Sequence, residues 1–125
     1  MNRRIVVTGL GLITPVGNTV ADTWDAIKAS RSGIGMIDSF DTEAFSVKIG
    51  GSIRDFDLDA YMSKKDARKM DPFIHYGIAS AVQAIDDAGL EVTEENAERI
   101  GIAYGSGIGG LPGIEKGHET FQKSG

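Results

Sequence analysis

The segment from Asp71 to Gly89 constrains this chain more than any other. Asp71-Pro72 is a helix start, with Asp in the capping position and Pro where its missing N–H costs nothing. Ile74, Ile78, Ala81, Val82 and Ile85 then recur at i, i+4, i+7, i+8 and i+11, one face of a 3.6-residue period. Gly77, Ala79, Ser80, Ala81, Ala84 and Ala88 leave much of the remaining surface almost without side chains. Gly89 suits the left-handed residue that closes a helix. The pattern predicts a helix over Pro72–Ala88, buried on several sides.

Two apolar runs could supply its neighbours. Ile5-Val6-Val7-Thr8-Gly9-Leu10-Gly11-Leu12-Ile13-Thr14 is nearly continuous and rich in β-branched residues. Continuous rather than alternating apolar character predicts a strand covered on both faces, as in layered α/β folds. Arg99-Ile100-Gly101-Ile102-Ala103-Tyr104 reads as a second short strand and runs into Gly105-Ser106-Gly107-Ile108-Gly109-Gly110. Pro112 then opens a final helix carrying Leu111, Ile114, His118 and Phe121.

Between these elements the signals are weaker. Pro15-Val16-Gly17-Asn18 is a turn, and Thr19 with Asp22 resembles a capping box with Asp in place of Glu. Val20, Trp24 and Ile27 follow at helical spacing, and Ser32-Gly33 is the expected stop. Residues 35–59 show no sustained period, apart from a short strand expected near Val47–Gly50. Ser63 caps a short helix over Lys64–Met70. Glu91–Glu98 is an acidic loop with a helical hint.

With 125 residues the chain is at most one ordinary domain, or a piece of a larger one. Two strands do not make a self-sufficient doubly covered sheet, so the expectation is part of a larger fold, without internal boundary. Composition is that of a globular protein, 41% hydrophobic and 25% charged, which argues against disorder. The absence of cysteine excludes disulfide and thiolate–metal frameworks from these residues. A net charge of −5 makes general nucleic-acid binding unfavourable. No apolar run is long enough for a membrane helix. Arg3-Arg4 followed by an apolar run superficially resembles a signal peptide, but Gly9, Gly11, Thr14 and Pro15 break it. A strand in a cytoplasmic protein is the expectation.

Three features carry possible chemistry. Gly105, Gly107 and Gly110 match the G-x-G-x-x-G pattern between a strand and a helix, the context of a dinucleotide site. The same cluster also serves as a structural or substrate-lining turn, and no Gly-Lys-Ser/Thr follows to make a P-loop. Lys64, Lys65, Arg68 and Lys69 put four cations within six residues of an acidic chain. They form either a solvated helix face or a docking patch for an acidic macromolecule. His75 and His118 have no partner at metal-ligand spacing and read as packed or surface histidines. Ser106 lies in the wrong frame for a nucleophile elbow.

In combination these motifs resemble a known family. Arg3–Gly11 with Thr14–Asn18, Arg68–Phe73 with the helix to Leu90, and Gly105–Gly110 are similar in order and spacing to β-ketoacyl-acyl-carrier-protein synthases. The likeness covers essentially residues 1–125 and is greatest for the elongating type II synthases of bacterial fatty-acid synthesis. Polyketide ketosynthases are more distant relatives. The resemblance implies a thiolase-like layered αβαβα fold, of which this chain is the N-terminal part, and a homodimer. It implies acyl transfer by decarboxylative Claisen condensation, with acyl carrier protein as partner and no cofactor or metal. The family's catalytic cysteine and histidines match no residue here, so the chain alone is expected to be inactive. By the same resemblance Lys65, Arg68 and Lys69 match the basic patch that binds carrier protein, and Ile108 a residue lining the acyl-chain pocket. The alternatives are a nucleotide-binding module and a non-catalytic partner of the chain-length-factor type.

Overall fold

The computed structural model describes residues 3–125. Helix α1 spans Val20–Lys28. Thr19 begins it in the manner expected: its hydroxyl oxygen accepts from the Asp22 amide at 3.1 Å and donates to the Asp22 carboxylate at 2.8 Å. The helix ends earlier than Ser32-Gly33 because Ser30 takes a left-handed φ of 53°. The Arg31 amide then donates back to the Ala26 carbonyl, so a serine fills the closing role usually given to glycine. Strands β1 (Gly35–Met36) and β2 (Ile49–Gly50) pair antiparallel, with Gly35 opposite Gly50 and Met36 opposite Ile49. A 3-10 turn over Leu58–Ala60 leads into the single-turn helix α2, Lys64–Ala67.

Helix α3 spans Pro72–Asp87, as the periodicity predicts. Gly89, at φ 58°, closes it, and the Leu90 amide donates to the Ile85 carbonyl. Asp71 sits at the N-cap position, but its carboxylate makes no capping bond to its own helix. It occupies the space that a Cβ at Gly110 or Gly113 would need, beside the start of helix α4, Leu111–Ser124. A carboxylate there complements the positive end of α4. A second 3-10 turn, Ala97–Arg99, realises the helical hint in the acidic loop.

The small surface of α3 receives the N-terminal run directly. A Cβ on Gly9 would fall on the Ala84 carbonyl and 2.8 Å from the Ala88 amide nitrogen. One on Gly11 would fall on the Ser80 carbonyl and 2.9 Å from the Ala84 amide nitrogen. Glycines at alternate positions thus lay backbone against backbone along the 80, 84, 88 row of α3. Two polar side chains of α3 complete the contact: Asp87 accepts from the Leu10 amide at 2.9 Å and Gln83 from the Leu12 amide at 3.2 Å.

The two expected strands do not form. Residues 3–13 and 101–106 carry no ladder, and the sole pairing near them is an isolated bridge between Thr14 and Gly17. A strand exists only when a neighbouring backbone takes up its N–H and C=O groups. Among the described residues neither segment has such a neighbour. Each has α3 on one side and an open face on the other, so Ile5 is 92% and Ile102 69% exposed. The expected burial on both faces is therefore realised on one. Buried apolar side chains are small: Ala26, Ala67 and Ala79.

Candidate functional site

The basic cluster lies on α2 and its C-terminal edge. One helical turn has little stability of its own. Ser63 begins it, accepting from the Asp66 amide at 3.2 Å and donating to the Asp66 carboxylate at 2.7 Å. Ala67 is the residue α2 buries. His75 of α3 reaches across, its Nε2 3.0 Å from the Ala67 carbonyl oxygen. A carbonyl only accepts, so that nitrogen carries a proton.

The four cations are not equivalent. Lys64 pairs with Asp59 at 3.1 Å and Lys69 with Asp66 at 3.5 Å, both at exposed sites where such pairs are weak. Lys65 and Arg68 are exposed and have no ion pair among the described residues. The structure thus brings Lys65, Arg68 and Lys69 together at the surface, with the first two carrying uncompensated charge.

An apolar groove of about 540 Å³ runs between α3 and the 102–106 segment. Phe73, Gly77, Ala81 and Ile85 line it from the helix, Ile102 and Tyr104 from the other side. The Tyr104 ring stands over Gly77, where a Cβ would come within 3.1 Å of it, and the Tyr104 hydroxyl is 3.2 Å from Ser80 Oγ. A second space of about 460 Å³ separates residues 9–11 from 101–104, with Ser80 and Ala84 as its floor. The two apolar runs therefore lie along the same helix without touching as a ladder. Gly105 and Ser106 line the groove; Ile108 is 81% exposed and stands outside its lining.

The glycine cluster is poorly arranged for a phosphate. Its last glycine, Gly110, has a left-handed φ of 71° and precedes α4, but the Asp71 carboxylate already lies at that helix start. An anion arriving there would meet a like charge. His118 is exposed on α4, whereas His75 is half-buried and engaged with Ala67.

Sequence reasoning overlooked Gln83 and Asp87. Their signal was present: two polar residues one helical turn apart on a helix rich in apolar and small residues. Gln83 accepts from the Leu12 amide and donates to the Asn18 carbonyl and the Tyr61 hydroxyl, each at 2.8 Å, joining three segments.

A small-surfaced helix flanked by two apolar runs, with a glycine cluster leading to a further helix, defines a class that comparison identifies. Residues 2–124 match the beta-ketoacyl synthase N-terminal domain family. The chain is 58% identical over 123 residues to 3-oxoacyl-acyl-carrier-protein synthase 2 of Vibrio cholerae serotype O1, and equally to that of Vibrio harveyi. It is 46% identical to the Coxiella burnetii protein of the same name. In each case 98% of this chain is covered and 30% of the relative. Among solved structures, the ishigamide ketosynthase/chain length factor superposes with a TM-score of 0.67 at 34% identity, over 77% of this chain and 23% of that one. The chain belongs to the β-ketoacyl synthase family, and its fold is the thiolase-like α/β fold of ketosynthases, of which it spans less than a third of the relatives' length.

Proposed function

We propose that residues 1–125 form the N-terminal portion of one ketosynthase domain in a β-ketoacyl-acyl-carrier-protein synthase that elongates fatty acyl chains. The observation that carries this reading is the family match over residues 2–124, with 58% identity to synthases of type 2. The reaction is a decarboxylative Claisen condensation. A cysteine thiolate first takes an acyl group from acyl carrier protein. Malonyl-carrier protein then loses CO₂, the carbanion attacks the acyl thioester, and the carbon–sulfur bond breaks to return the thiolate. These 125 residues contain no cysteine, so the nucleophile comes from outside them and the chain alone is inactive.

What the chain itself contributes is binding. Lys65, Arg68 and Lys69 form the docking surface for the acidic carrier protein, and the uncompensated charge of Lys65 and Arg68 suits steering and register. Ile108, with the glycine cluster, lines the acyl-chain pocket once the rest of the domain is in place. The open faces of residues 5–7 and 102–104 are where sheet partners from the rest of the domain pair. The complete protein is a cytoplasmic homodimer. Among the described residues no helix is long and apolar enough to cross a membrane.

The likeness to a ketosynthase/chain length factor favours one rival, a non-catalytic partner of the same fold. Incubating the full-length protein with acyl- and malonyl-carrier protein separates the two. A 3-oxoacyl product with one CO₂ released per condensation is expected. No condensation and no CO₂ release would overturn the enzymatic reading.

A further inference from the structure

We propose that His75 is a positioning residue for the carrier-protein surface: its Nε2–H bond to the Ala67 carbonyl fixes α2 on α3 and so sets where Lys65 and Arg68 stand. This inference rests on the docking reading above.

Among the described residues no other side chain hydrogen-bonds α2 to α3. α2 is a single turn of four residues, too short to hold its own orientation. Its bonds at Ser63 and Asp66 are internal and fix the turn's shape, not its placement. The Lys64–Asp59 pair at 3.1 Å ties it to the neighbouring 3-10 turn, but at sites more than half exposed. Among the described residues, His75 Nε2 makes the sole hydrogen bond from α3 into α2, at 3.0 Å and part-buried. It acts on the peptide between Ala67, which α2 buries, and Arg68, which is exposed at its C-terminal edge. A donor here restrains both the carbonyl and the residue that follows it.

The bond uses acceptor capacity that the turn leaves open. Ala67 O already accepts from the Met70 amide at 3.1 Å, and a carbonyl has a second lone pair. At a helix C-terminus, carbonyls lacking full intrahelical partners attract a donor from elsewhere. The His75 imidazole supplies that donor from α3. Nδ1 has no partner among the described residues, so the tautomer protonated on Nε2 satisfies the arrangement.

The test uses the full-length protein with His75→Leu, His75→Gln and the pair Lys65→Glu/Arg68→Glu. Each is assayed with acyl-carrier protein and with the same acyl group on a small thiol. The small thioester does not need the docking surface and reports the integrity of the active site. His75→Leu is expected to raise KM for acyl-carrier protein about three- to tenfold, the range of one lost hydrogen bond. It leaves kcat, and all activity on the small thioester, unchanged. His75→Gln, which keeps an N–H donor of similar reach, is expected to restore the carrier-protein KM. An unchanged carrier-protein KM in His75→Leu, or an equal loss on both substrates, would overturn the positioning role. If Lys65→Glu/Arg68→Glu alone raises KM, the docking reading stands and the His75 inference falls. If the charge reversals also leave KM unchanged, the docking reading falls and takes this inference with it.

Discussion

The two apolar runs look alike in sequence, yet α3 treats them differently. Along residues 9–12 the backbone is drawn onto the helix. Gly9 and Gly11 remove the side chains that would intervene, and Asp87 and Gln83 take up the Leu10 and Leu12 amides. Along residues 101–106 the backbone is held off. The Tyr104 ring, resting on Gly77, acts as a spacer and leaves the 540 Å³ groove beside it. Beyond the first run the chain is stitched across long separations, Asn18 to Arg54 and Gln83 to Asn18 and Tyr61, and across a shorter one, His75 to Ala67. Phe56 adds aromatic contacts with Tyr61 and Tyr76, at centroid distances of 5.8 and 5.2 Å. Beyond the second run, α4 buries nothing, and Ile114 and Phe121 are 62% and 69% exposed. Glycine facing the helix lets the first run seat directly on α3, whereas Tyr104 facing Gly77 holds the second run away.

Placing a side chain where α3 accepts only backbone gives the largest expected effect. Gly11→Val should destabilise the full-length protein by about 3 kcal/mol or more in denaturant unfolding, because the added carbons meet the carbonyl of Ser80 and the Ala84 amide. A value under ~1 kcal/mol would mean that the run is not seated on α3. Gln83→Leu strands a Leu12 amide, an Asn18 carbonyl and a Tyr61 hydroxyl together. Its expected cost is about 2–3 kcal/mol by the same measurement, and a neutral result would show that water satisfies these groups as well. On the open side the effect falls on selectivity. Ile108→Phe is expected to lower kcat/KM for long acyl chains about tenfold relative to short ones. An unchanged chain-length profile would remove Ile108 from the pocket.

These contrasts also show what was readable in advance. The span of α3, its Pro72 start and its Gly89 stop follow from local propensities and a single periodicity, so they appear in the sequence. The Thr19–Asp22 cap and the Ser63 cap are likewise local. The early end of α1 was not legible, because it turns on Ser30 adopting a conformation that sequence assigns to glycine. Nor was the absence of ladders at residues 5–14 and 99–104, since strand character in a sequence states a need for partners without saying where they are. At the basic cluster, residue types and exposure were legible. Which cations remain uncompensated was not, because Lys64 finds Asp59 across a turn that has no sequence period.

The function proposed for these residues centres on the docking role of α2. Its most direct test is the ionic-strength dependence of carrier-protein kinetics in the full-length protein and in its Lys65→Glu/Arg68→Glu variant. In the natural protein kcat/KM for acyl-carrier protein is expected to fall steeply with added salt, and the variant is expected to be about tenfold or more slower at low salt with a nearly flat dependence. Equal rates and equal salt dependence in the two proteins would contradict it.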